Sequence, residues 1–494
     1  MVSLMPREIA GIPTMFTRSS RSTLLHLALL ATLLPAVSPG VCRADPSWPQ
    51  FRGLNGAGVA DQHPLPGDLQ AAENLIWKRP IAKGHSSPVV VGGRIYLTAL
   101  DKKRLLTIAM NAETGEQIWS DPAPFEKLES VHRIGSPATA SVATDVAAVF
   151  SFFGSSGMSA HSLDGELKWR KRMGPFNNSF GACSSPILVG DRLISLQDHD
   201  TGSHLAAFDK SNGDLLWRVE RPNFRRNYGT PVVWRTGEET QIVVAGTAQL
   251  MAYNVDDGEL RWQVRGLCRV VSNTPVVGED GSLYVASTGG GSAPPQPAFD
   301  QLILERDANK NGRLEAKELP NSPIKSFIDQ FDRDANGGLD EEEYESIRTI
   351  FAQAKSEAMV IRPGGRGDIT DSHVAWRDGG KSTPRNASPL IYRGRMYMVK
   401  DGGILTVLDA GDGKLLERVR IRGGGKFFSS PVAGDGKLYV CSDRGNVTVL
   451  AADDSLKQQS QIALAEDIYA TPAIADGRVY VRTVSGLYCF GLPR

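Results

Sequence analysis

The stretch Ser86 to Leu100, SSPVVVGGRIYLTAL, decides the reading of the chain. A hydroxyl residue and a proline open a short apolar run, two glycines turn the backbone, and a second apolar run carries a tyrosine. Such runs on either side of a Gly-Gly turn are a hairpin signal. Near copies recur to the C-terminus, anchored at Pro88, Pro137, Pro186, Pro231, Pro275, Pro389, Pro431 and Pro472, each preceded by Ser or Thr. Their spacings are 49, 49, 45, 44, 114, 42 and 41 residues, so one interval holds about 70 residues more than a repeat needs. A period of this size marks stacked or radial units. The simplest reading is eight β-units with one insertion.

A second mark runs in phase: Gly followed four residues later by Trp, at Gly115/Trp119, Gly165/Trp169, Gly213/Trp217 and Gly258/Trp262. The sixth unit keeps Asp412-Gly413 but has Glu417 in place of the Trp. Ahead of the first anchor, after the Trp48 to Gly53 stretch WPQFRG, Leu75 to Ile81 (LIWKRPI) has the composition of a Trp-bearing outer strand. The last unit ends at Phe490 without one. Pairing the two ends closes a ring and leaves no open edge in the circle.

These features resemble the PQQ-like family of eight-bladed propellers, in which a small-residue-Pro start, a Gly turn and an outer-strand Trp docked between blades recur. The likeness covers roughly Trp48 to Phe490 apart from the insertion. It implies an all-β, eight-bladed β-propeller with Trp77, Trp119, Trp169, Trp217, Trp262 and Trp376 as interblade docking residues. Quinoprotein dehydrogenases of this fold hold their quinone against a vicinal cysteine pair, with an active-site calcium and an Asp base. No two cysteines are adjacent here, so PQQ is not expected and an oxidoreductase is the alternative reading. A propeller lipoprotein that helps assemble outer-membrane β-barrels shares the ring without the quinone site. Here, however, Cys42 follows Pro39-Gly40-Val41 rather than a Leu-led lipobox.

Bulk properties agree with many short strands and turns: 41% hydrophobic residues, 51 Gly and 29 Pro. Lys plus Arg equals Asp plus Glu at 55 each, which argues against nucleic acid as a partner. Arg18 and Arg21 precede an apolar run from Leu24 to Leu34 and small residues up to Ala44, the pattern of a secretory signal over 1–44. That run is about half a bilayer span. The mature chain is therefore expected to lack a transmembrane segment and to reside in the periplasm or outside the cell. Beyond it lie a loop segment over 45–73, the propeller over 74–291 and 358–494, and the insertion over 292–357. Cys183, Cys268, Cys441 and Cys489 leave both bridges and free thiols open, and none sits at metal-ligand spacing.

The insertion passes through Pro294, Pro295 and Pro297 into charged, helix-favouring sequence with two twelve-residue loops, DANKNGRLEAKE (Asp307 to Glu318) and DRDANGGLDEEE (Asp332 to Glu343). A calcium ion takes six to eight oxygens, which such a loop supplies from alternating side chains, one backbone carbonyl and a terminal bidentate carboxylate. Asp307, Asn309, Asn311 and Glu318 fill positions one, three, five and twelve of the first loop. Asp332, Asp334, Asn336 and Glu343 fill those of the second. The position-seven carbonyls come from Arg313 and Gly338, and Gly312 and Gly337 make the sharp turns. Phe299, Leu302, Ile303, Ile324, Phe327, Ile328, Phe331, Tyr344, Ile347 and Phe351 lie at helical spacing around the loops. This is the pattern of an EF-hand pair with two calcium sites, placed in blade five. The second loop carries more carboxylates and is expected to bind more tightly.

No hydrolase histidine cluster or nucleophile turn is present, and no catalytic residue is assigned. Residues before the anchors, His85, His132, Arg133, Tyr228, Arg385, Asn386, Phe428 and Tyr469, are expected to line the channel mouth where a protein or small-molecule ligand would bind. The sum is an exported binding or scaffold module.

Overall fold

Each apolar-turn-apolar unit forms antiparallel strands, and eight four-stranded sheets, one with a short fifth strand added, build the ring in the computed structural model, which describes residues 48–289, 296–320, 322, 324, 325 and 328–493. The leader and Phe327 lie outside the described residues. Blade one runs outward from Val89–Val91 through Arg94–Asp101 and Arg104–Asn111 to Gln117–Ala123. Blades two to seven repeat this order. Blade eight consists of Ala473–Ala475, Arg478–Arg482 and Gly486–Gly491, with Leu75–Pro80 as its outer strand. That strand pairs antiparallel, Trp77 opposite Cys489, so the two ends of the chain meet in one sheet as expected.

The hydroxyl before each anchor has a specific task. The backbone N–H of each such residue donates to the hydroxyl of the next blade: Ser87 to Ser141 (2.8 Å), Ser141 to Ser185 (2.9 Å), Ser185 to Thr230 (3.2 Å) and Thr230 to Thr274 (3.0 Å). The circle continues from Thr274 to Ser388 (2.9 Å), Ser388 to Ser430 (2.9 Å), Ser430 to Thr471 (3.0 Å) and Thr471 back to Ser87 (2.9 Å). Eight like bonds satisfy eight buried donors and fix the blade count. One expectation is corrected. The second unit joins through Ser141, followed by Val142, and not through Ser136-Pro137, where Ser136 Oγ instead accepts from Ala138 N within its own loop.

Packing between blades follows from tryptophan on glycine. The rings of Trp77, Trp119, Trp169, Trp217 and Trp376 cover Gly115, Gly165, Gly213, Gly258 and Gly413 of the following blade, where an added Cβ would stand 2.7 Å away. Each indole Nε1 donates to a carbonyl of that turn, at 2.9–3.2 Å. Trp262 departs from the docking pattern. Its Nε1 bonds Gln241 Oε1 of its own blade, and Trp234 takes over the contact to blade five through Gly281 O (2.9 Å). The reason is local: in place of a tight Gly turn, blade five has a long loop whose Gly367–Asp368 strand pairs parallel with Trp262 and Gln263.

The floor of the ring comes from WPQFRG and the residues after it. Trp48 exchanges both backbone bonds with Val90, Thr144 N donates to Pro49 O, Asn55 does the same through its amide to Val233, and Ala433 bonds Gly58 and Ala60. Val90, Thr144, Val233 and Ala433 each lie three residues past a ring hydroxyl, so the segment crosses one end of the channel. Arg52 is fully buried there, its Nη2 donating to Pro389 O (2.8 Å), and burial pulls it down to about 9. Gly53, at φ 74°, lies against the Trp48 ring, where a side chain would collide.

Candidate metal centre and channel mouth

In blade five the chain leaves the sheet at Ser287 and returns at Glu357, which are direct cross-strand partners. Between them lie helices α1 (Phe299–Arg306), α2 (Ile328–Phe331) and α3 (Glu341–Gln353). Phe299, Leu302, Ile324, Ile328, Phe331, Tyr344, Ile347 and Phe351 form a core of their own, with Leu314 and Leu339 at its centre. Leu314–Glu315 pairs antiparallel with Gly338–Leu339, which sets the two acidic loops back to back.

The loops fold alike because short side chains replace missing backbone partners. Asp307 Oδ1 accepts from Asn311 N (3.1 Å) and Oδ2 from Gly312 N (2.8 Å); Asp332 does the same with Asn336 N (2.9 Å) and Gly337 N (2.7 Å). Arg313 N and Gly338 N reach the Oδ1 of Asn311 and Asn336, and Asn309 and Asp334 accept from Asn311 N and Asn336 N. Gly312 and Gly337 take φ of 76° and 93° at the turn. Glu318 accepts from Ala308 N and Glu315 N, closing the first loop end to end. Asp340 and Glu343 form a reciprocal cap on α3. Asp332, Asp334 and Glu343 each offer an oxygen within 4.8 Å of the others. The Asn336 amide holds Asp334 below the usual carboxylate range. A donor set of oxygens alone suits a hard cation.

The hydroxyl circle also fixes what borders the open end of the channel. Two residues before each ring hydroxyl stand His85, Thr139, Cys183, Tyr228, Ser272, Asn386, Phe428 and Tyr469, all partly exposed. His85 stacks on Tyr469 at 4.3 Å, and Phe428 lies 5.2 Å from it. Burial lowers His85 to about 4, so it is neutral at pH 7, and pushes the Cys183 thiol up to about 12. His132, Arg133 and Arg385 occupy flanking loops instead. Thr139 escaped the sequence reading because the anchor placed at Pro137 hid the register of blade two. Cys183 and Ser272 precede anchors that hold, and their small side chains gave no signal of a channel mouth. Cys183, Cys268, Cys441 and Cys489 are all free thiols. Glu129, in the loop leading to blade two, was also missed. Its carboxyl group is buried, and desolvation, opposed only in part by the nearby Ser155 hydroxyl, raises it to about 7.

A closed ring of eight antiparallel sheets, with indoles docked on turn glycines, defines the chain as an eight-bladed β-propeller. Residues 69–179, 150–328 and 366–493 match the family model described as outer membrane protein assembly factor BamB, and the chain belongs to that family. No curated protein sequence matches it. Among solved structures it is similar to BamB from Moraxella catarrhalis (TM-score 0.53, 12% identity, 84% of this chain and 98% of that one). It is also similar to the quinohemoprotein alcohol dehydrogenase from Comamonas testosteroni (TM-score 0.54, 12% identity, 91% and 81%). The computationally designed Ika8 protein is a third (TM-score 0.54, 8% identity, 85% and 100%). At these identities the likeness concerns the fold alone.

Proposed function

We propose that the chain is an exported scaffold propeller that engages another protein or a small molecule at its open face and carries an EF-hand pair loaded with two calcium ions. The observation that carries this reading is the arrangement of the two acidic loops, back to back on a core separate from the blades. The ligands are Asp307, Asn309, Asn311, Glu318 and the Arg313 carbonyl in one loop, and Asp332, Asp334, Asn336, Glu343 and the Gly338 carbonyl in the other. Outside the cytoplasm, modules of this kind are commonly tuned to about 10⁻⁴–10⁻³ M, so the ions serve to hold the insertion folded. A scaffold role is supported by the family, whose description names an assembly factor. No helix of the described residues is long and apolar enough to cross a membrane.

The quinoprotein alternative is not favoured. Its vicinal cysteine pair has no counterpart, since no two cysteines are adjacent in the sequence and the four among the described residues are free thiols. Calorimetric titration of the full chain with calcium chloride tests the metal reading: two bound ions are expected, and none refutes it. Addition of PQQ and calcium should give no bound chromophore and no dye reduction. Affinity capture from an envelope fraction should return a specific partner that a variant altered at His85, Phe428 and Tyr469 no longer captures.

A further inference from the structure

The insertion does not merge with the propeller core but is docked on it through polar and cation–π contacts, and these concentrate on the second loop. The Arg225 guanidinium lies 4.8 Å over the ring of Phe331, the residue just before Asp332. Arg333, at position two of the loop, donates to Asn223 Oδ1 (2.8 Å) and pairs with Glu342 (2.6 Å). Farther along α3, Gln249 reaches Gln353, Arg269 lies over Phe351 at 4.3 Å, and Lys355 N bonds Leu267 O. A groove of about 520 Å³ remains in the seam between α3 and blade four. The two guanidinium groups thus cover Phe331 and Phe351, rings at the edge of the insertion's own core, so the seam joins that core to the blade-four side by polar groups.

Asn223 and Arg225 belong to the connection from blade three to blade four, which continues to Tyr228 at the channel mouth. Tyr228 is held from below by Asn178, at 3.0 Å from its hydroxyl, and faces Phe180 edge-on at 5.9 Å. From this chain of contacts we infer that calcium at the second loop fixes the Asn223–Tyr228 connection, so that the ion governs the shape of the mouth where a partner binds. The inference rests on the calcium reading given above and adds a regulatory role to it. Without the ion, Asp332, Asp334, Asp340 and Glu343 repel one another across one short loop. Their mutual repulsion spreads the loop ends and displaces Phe331 and Arg333, the two docking residues next to Asp332. With the ion they converge, and both docking contacts are set. Coupling is reciprocal, so a partner that orders the connection must tighten the second calcium site by the same factor.

The test is hydrogen exchange of the full chain in calcium chloride and in chelator, beside calorimetric titration of the same samples. Amides of 222–229 should exchange about tenfold more slowly with calcium, a factor within the usual range of coupling between sites. Arg333→Ala should still bind two ions but lose that protection, and Glu343→Gln should lose one ion and the protection together. Two ions bound with unchanged exchange at 222–229 overturns the inference and leaves the calcium reading intact. Absence of any bound ion overturns both.

Discussion

A single atom decides several positions in this ring. At Gly115 the φ of 70° and the Trp77 indole, 2.7 Å from where a Cβ would stand, exclude any side chain. Gly115→Ala should cost about 2–4 kcal/mol, from backbone strain plus overpacking, read as a lower denaturation midpoint. Ser87→Ala removes the acceptor for Thr471 N–H at the join of blades eight and one and should cost about 1–3 kcal/mol. Glu129 gives a pH signature. Its ordinary value of 4.5 is raised to about 7, so the folded state keeps a proton that the unfolded chain releases. Its stabilising contribution is therefore complete below pH 4.5 and is lost as pH rises through 7. Glu129→Gln should stabilise the protein at pH 8 by up to about 3 kcal/mol, with the gain vanishing near pH 4. Equal gains at both pH values would contradict the assignment. The Gly and Trp spacing marked the repeat in the sequence, but which glycine of the following blade each indole covers was not legible, and Trp262, expected to dock, bonds within its own blade. Ser141 was not, because its hydroxyl does the work while the neighbouring proline that flagged the other blades is Val142.

At the scale of elements, the insertion reads as a module because it departs and returns at one cross-strand pair, Ser287 with Glu357. Replacing residues 288–356 by a short turn should leave a cooperative melt with its midpoint shifted by no more than about 5 °C. Collapse of the propeller would show instead that the blades depend on the insertion. The alternation of acidic and amide residues made both loops legible, since the loop geometry requires those types at those intervals. The docking seam was not legible, because Arg225 and Arg269 look like ordinary loop cations until the fold brings Phe331 and Phe351 beneath them. The same holds for WPQFRG. Its tryptophan and arginine gave no sequence signal of a channel floor, a role created by bonds to blades far away in the chain.

The whole molecule depends on closure. Leu75–Pro80 completes blade eight, and the hydroxyl circle has no weak link, every bond falling between 2.8 and 3.2 Å. Removing residues 486–493 should leave that outer strand without its partner and expose sheet edges, giving aggregation and loss of the cooperative melt. Eight units could be counted from the repeats alone, and the closing strand could be placed, since both follow from periodicity. Which end of the channel is shut could not, because it depends on where the N-terminal segment crosses the ring. The most direct measurement is a crystal structure of the full chain grown in millimolar calcium, with anomalous difference density collected for the ion. The account predicts eight blades closed at Leu75–Pro80 and Gly486–Gly491, with one calcium peak in each acidic loop. A different blade count, or empty loops at that concentration, would contradict it.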